Sequence, residues 1–133
     1  MTNDDYIEIF LSAKKSIERG FTRYVFAADA KGRETLYNDP WACKFCLTGA
    51  LMRAIWMKYE DTDLQKFQAR IGEVAAAFVR HMPEDPDMPE VPGPGREIDL
   101  LYYINDTHCV DKEDMLRYLD AVIHRLETKE GVQ

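Results

Sequence analysis

The sequence predicts a mainly α-helical, single compact domain of about four helices, with a small β-hairpin after the first helix. Two observations lead there. Apolar residues recur at spacings of three and four over four separate stretches, the period of an amphipathic helix. Between the first two of these, aromatic and β-branched residues crowd together and a Lys31-Gly32 turn interrupts them, the pattern of a hairpin. A chain of 133 residues is long enough for one core and too short for two, so 1–133 is read as one domain.

Taking the elements in order, a first helix is expected over 4–19. Tyr6, Ile9, Phe10, Ala13 and Ile17 form its apolar stripe, and Gly20 supplies the stop. The segment 21–30 then reads as a short strand and 32–37 as its return. A central helix is expected over 39–59, with Asp39 as cap, Pro40 in the first turn, and Cys43, Cys46, Leu47, Ala50, Leu51, Ala54 and Ile55 on one inward face. A third helix over 63–81 carries Leu64, Phe67, Ile71, Val74, Ala75 and Phe78, and its short link to the central helix predicts an antiparallel pair. His81 at its end and His124 on the last helix read as surface residues. Met52, Trp56, Met57 and Tyr59 read as core or as packing against the hairpin, with a partner surface or a homo-oligomer as the alternative.

Five of the six prolines fall in 82–96, so 82–97 is expected to be an extended, acidic, proline-rich loop. Residues 97–104 are an apolar run that fits a short helix and a buried strand equally. Asn105-Asp106 ends it with turn chemistry, each side chain bonding to backbone N–H groups. Asp111 caps a final helix reaching about residue 128, buried along Met115, Leu116, Leu119, Val122, Ile123 and Leu126.

Charge is distributed unevenly. The net charge is −7, yet residues 82–114 alone hold ten acids and two bases, so the remainder is close to neutral. No basic patch exists to displace counterions, which argues against direct nucleic-acid binding. The plain reading of the acidic third is a solvated loop that confers solubility. The sharper one is a surface for a protein partner with a basic surface, carried by Glu84, Asp85, Asp87, Glu90, Glu97 and Asp99. No apolar run is long enough for a membrane span. Three cysteines, an odd number, do not make a disulfide framework, so a reducing cytoplasm is expected.

Four residues offer a different chemistry. Cys43, Cys46, His108 and Cys109 could supply thiolate and imidazole ligands to zinc, or Cys46 could act as a nucleophile with His108 as base and Asn105 or Asp106 orienting it. Against this, Cys43 and Cys46 fall within a helical pattern on the face that should be core, and adjacent residues such as His108 and Cys109 seldom aim at one ion. The expectation is therefore buried cysteine, no metal and no cofactor.

Four short motifs appear in order: Ile17-Glu18-Arg19-Gly20 at the end of the first helix, Asp29-Ala30-Lys31-Gly32-Arg33, Cys46-Leu47-Thr48-Gly49-Ala50-Leu51, and Ile104-Asn105-Asp106. In this the chain resembles an uncharacterised family of small bacterial and phage-associated proteins, a domain of unknown function, over about 8–126. The family usually places tryptophan before the cysteine, where this chain has Phe45. The resemblance implies a shared fold and no activity. The functional expectation is thus a non-enzymatic cytosolic interaction protein, such as a phage-type inhibitor presenting an acidic surface to a basic, nucleic-acid-binding partner, with the thiol or zinc site on Cys46, His108 and Cys109 as the alternative.

Overall fold

The computed structural model describes residues 1–91 and 93–131. Helix α1 (Asn3–Arg19) starts at a reciprocal cap: Thr2 Oγ1 accepts from the Asp5 N–H at 3.2 Å, and Asp5 accepts from the Thr2 N–H at 2.9 Å. Its predicted stripe is buried, with Ile9, Phe10, Ala13 and Ile17 essentially inaccessible.

The hairpin is present and is part of a larger unit. Strands β1 (Ala27–Ala28), β2 (Glu34–Thr35) and β3 (Lys44–Phe45) form an antiparallel sheet in the order β2-β1-β3, with Ala27 opposite both Thr35 and Phe45. Asp29 closes the turn between β1 and β2. Its Oδ1 accepts from the Lys31 and Arg33 N–H groups at 2.9 Å each, and its Oδ2 meets Arg33 Nε at 2.8 Å. The Asp29 to Arg33 motif is therefore a self-contained turn.

Strand β3 corrects the expected start of the central helix. Asp39 does not cap a helix: its Oδ1 takes the Trp41 N–H at 2.8 Å and holds a turn instead. Cys43 lies in extended chain, donating its N–H to the Ala28 carbonyl at 2.9 Å, and Phe45 donates to the Gly20 carbonyl at 2.9 Å. Sheet pairing on both sides of β3 thus overrides the local helical period, and helix α2 runs over Leu47–Tyr59 with Cys46 as its cap.

Two motif glycines are explained by close approach. A Cβ on Gly49, in the first turn of α2, would lie 1.9 Å from the Phe26 carbonyl oxygen, and one on Gly20 would lie 2.5 Å from that of Cys43. Both sites need the missing side chain because backbone occupies its place.

Helix α3 (Leu64–Arg80) is capped by Asp63, which accepts from the Gln65 and Lys66 N–H groups. The short link before it is pinned by Arg70, which pairs with Asp61 at 2.6 Å and lies 3.7 Å over the Tyr59 ring. His81 is buried, contrary to expectation. Its Nδ1 sits 2.7 Å from the Ala77 carbonyl, folding the ring back onto the end of the helix. The ambiguous run is helix α4 (Glu97–Tyr103), which passes directly into a π-helical turn, Ile104–His108. Helix α5 (Lys112–Gly131) follows, with Asp111 accepting the Asp114 N–H at 2.9 Å. The helices named among the described residues are therefore five, one more than the sequence led us to expect.

The core lies where α1 packs on α2 and α5, and Phe10 meets Phe78 of α3 edge to face at 5.8 Å. No helix among the described residues is long and apolar enough to cross a membrane.

The Gly49 contact makes a direct prediction. Gly49→Ala gains helix propensity of about 1 kcal/mol, yet it must displace β1 or α2, so a net loss of at least about 2 kcal/mol is expected in chemical denaturation. An unchanged or raised stability would mean that the Phe26 carbonyl does not sit against this turn.

Candidate functional site at Asn105 and Asp106

The π-helical turn carries Asn105, the buried polar residue with the most side-chain hydrogen bonds among the described residues. Asn105 is 1% exposed. Its Oδ1 accepts the Leu47 N–H at 2.8 Å, and its Nδ2 donates to the Thr22 carbonyl at 3.3 Å and to Asp106 Oδ1 at 2.9 Å. Leu47 is the first residue of α2, whose N–H has no partner inside the helix, so Asn105 satisfies a donor that the fold would otherwise bury unpaired. The same Asp106 oxygen accepts the Tyr24 N–H at 3.0 Å. Asn105 and Asp106 do bond backbone N–H groups as expected of them, but those groups lie far along the chain.

Cys46 stands beside them as the N-cap of α2. Its Sγ accepts the Gly49 N–H at 3.2 Å, and its own N–H reaches the Phe26 carbonyl at 3.1 Å. Burial pushes the thiol up to about 11, well above the ordinary thiol range, and the nearby Asp106 charge adds to the effect. At neutral pH the group is a protonated thiol, the opposite of what an activated nucleophile requires.

Around these residues is a cleft of about 370 Å³, lined by Tyr24, Val25, Phe26, Glu34, Cys46, Tyr102, Asn105 and Asp106. Its size lies at the lower end of small-molecule pockets, roughly 300–1,000 Å³. Phe26 and Tyr102 form one wall, with ring centroids 6.2 Å apart. Tyr24 forms a rim. It is 77% exposed and takes φ of 70°, a left-handed conformation that costs a non-glycine residue about 1–2 kcal/mol. Its bond to Asp106 holds it there. Neither Glu34 nor Asp106 forms an ion pair among the described residues. The nearest basic residues in sequence are engaged elsewhere, Arg23 with the Cys109 carbonyl and Arg33 with Asp29.

The acidic residues singled out from the sequence are arranged differently from a free tether. Met82, Met88 and Val91 pack against the core, and Asp85 pairs with His108 Nε2 at 3.3 Å, whereas Glu84, Asp87 and Glu90 are exposed. Positions 82, 85, 88 and 91 thus face the body and 84, 87 and 90 face solvent, and the segment is not extended throughout as expected: the Met88 N–H closes a turn onto the Asp85 carbonyl at 3.1 Å, and Asp85 Oδ1 accepts the Asp87 N–H at 2.9 Å. Arg125 adds a bond to the Met82 carbonyl at 2.8 Å. Glu97 and Asp99 belong to the first turn of α4, and Asp99 pairs with Arg96 at 2.6 Å.

The four thiol and imidazole residues do not converge. Cys46 lines the cleft; His108 and Cys109 line a separate cavity with Tyr118, where the His108 ring meets Tyr118 edge-on; Cys43 lies in extended chain before β3. Burial pushes the Cys109 thiol up to about 11 as well. Among the described residues no three His, Cys, Asp or Glu side chains are grouped so as to hold a metal ion. Sequence reasoning missed Tyr24, Phe26, Glu34 and Tyr102, because no spacing in the chain links 24–34 to 102–106. The family described as "Family of unknown function (DUF6197)" matches residues 1–125. No curated protein and no solved structure matches the chain.

The role of Cys46 as a cap is separable from a role as buried apolar filler. Cys46→Ala loses the acceptor for the Gly49 N–H and should cost about 1 kcal/mol in denaturant unfolding. Cys46→Ser keeps an acceptor and should cost less. The reverse order would mean that packing, not capping, fixes the residue.

Proposed function

The chain belongs to that family of unknown function, and we propose that it is a non-enzymatic interaction protein that meets a basic partner with the acidic face of residues 82–97 and the start of α4. The observation that carries this reading is the outward row of Glu84, Asp87 and Glu90, exposed and without ion pairs among the described residues. The loop's own apolar residues and Asp85 anchor it, so the row is held against a body and does not trail from it. Pre-ordering of this kind lowers the entropy lost on association. Unpaired acids raise association rates with a basic surface and reject an acidic one. A nucleic-acid-binding protein is the partner type with the required positive surface, and a phage-type inhibitor that occupies such a site is one concrete form of the function. Free cysteines suit a cytosolic setting.

An arginine-rich peptide tests this as a probe. Replacing Glu84, Asp87 and Glu90 together by lysine should weaken its binding roughly tenfold or more at low salt, with the difference shrinking at physiological salt. The matched control replaces Glu18, Glu60 and Glu127, which are exposed and also outside the ion pairs, by lysine. It changes net charge equally and should leave affinity within about a few fold. Equal losses in the two variants would reduce the row to a solubility device.

A further inference from the structure

Beyond an acidic face, the structure contains a concave site whose ligand chemistry can be read from its walls. We infer that the cleft beside Asn105 receives a single cationic side chain, an arginine or lysine of a polypeptide, between the Glu34 and Asp106 carboxylates and the Tyr24, Phe26 and Tyr102 rings. This deepens the proposed function, because it rests on the partner's being basic and names where one of its cations is anchored.

Three features select that chemistry. The cleft is lined by two carboxylates and no lysine or arginine, so an anion is repelled and a cation attracted. The neighbouring cations cannot serve as internal occupants, since Arg23 is committed to the Cys109 carbonyl and Arg33 to Asp29. Aromatic faces add the second requirement. Phe26 and Tyr102 remain 41% and 37% exposed although they line a wall, and rings around a charged head favour a cation over a neutral polar group. Asp106 is also fixed in place. It accepts from Asn105 Nδ2 and the Tyr24 N–H, so one of its oxygens is oriented by the fold itself.

A polypeptide source is favoured over a free small amine by what lies next door. The wall residues Phe26 and Tyr102 also line a second groove of about 320 Å³, with Met52, Ile71, Ala75, Ile98 and the acid Glu97, so the carboxylate-lined cleft adjoins a mainly apolar surface. A side chain adjacent to the arginine or lysine can be buried there, which a lone ammonium ion cannot exploit.

The test is an NMR titration of the full chain with N-acetyl-arginine amide, with N-acetyl-citrulline amide as the neutral isostere. Saturable shifts of the Tyr24, Phe26, Glu34 and Tyr102 resonances are expected with arginine and not with citrulline. Glu34→Gln, at an exposed side chain with no hydrogen bond among the described residues, should weaken arginine binding by about two- to fivefold without affecting folding. Asp106→Asn keeps an acceptor for the Tyr24 N–H and should weaken it similarly. An acetylated arginine-leucine dipeptide amide should bind more tightly than arginine amide; equal affinity would overturn the polypeptide source. Equal shifts by citrulline, shifts confined to residues outside the cleft, or full affinity in both charge-neutralised variants would overturn the site. Failure here is distinguishable from failure of the acidic face: the lysine substitutions at 84, 87 and 90 act on the arginine-rich peptide and should leave arginine amide binding nearly unchanged.

Discussion

The side-chain amide of Asn105 joins three parts of the chain that secondary structure leaves unconnected. Its oxygen takes the first N–H of α2, and its nitrogen reaches the segment leaving α1 and the neighbouring Asp106. The bond to Leu47 is buried and the other two are half-buried; each is worth little in net terms, but leaving the buried one unmade costs about 1–3 kcal/mol. That asymmetry makes the residue a constraint on position. The π-helical turn must lie against the N-terminus of α2, and α4, which leads into that turn, packs on α2 and α3. Tyr24, held by Asp106, follows from the same placement.

The sheet and the helix start depend on this arrangement and on two absent side chains. Gly49 lets α2 begin against the Phe26 carbonyl, and Gly20 lets α1 end against β3. With Cys46 capping one N–H and Asn105 another, two of the unpaired donors at the start of α2 are satisfied by side chains. Three of the four short motifs, those holding Gly20, Cys46 and Asn105, accordingly meet in one region. They build a crossing, a cap and a clamp, and the cleft is the space left beside the last two.

Much of this was legible in the sequence where the physics is local. The stripes of α1, α3 and α5, the cap at Asp111, and the turn at Asp29 to Arg33 follow from spacing and side-chain chemistry within a few residues, except that Leu64, expected in the α3 stripe, is exposed at the helix's first position. The start of α2 was not, because Asp39-Pro40 and the run Cys43, Cys46, Leu47 satisfy a helical rule until β1 and Gly20 claim the intervening backbone. His81 read as surface because nothing in sequence shows that a ring will fold back onto the Ala77 carbonyl. The loop's three-residue period was present in the spacing of Met82, Met88 and Val91, masked by the prolines and charges around them. The cleft was illegible for a plainer reason: its residues come from separate elements, and only tertiary pairing brings Glu34 and Asp106 to one space.

The clamp is tested most directly by native-state hydrogen exchange at the Leu47 and Tyr24 amides. Leu47 lies at a helix N-terminus, where amides ordinarily exchange by fraying, and Tyr24 lies in irregular chain on the surface. If Asn105 and Asp106 organise the fold, the Leu47 amide should exchange only through global unfolding, and the Tyr24 amide should be protected well beyond its loop neighbours. In Asn105→Ala both protections should be lost together. Fast exchange of Leu47 by local opening in the parent protein would contradict the account.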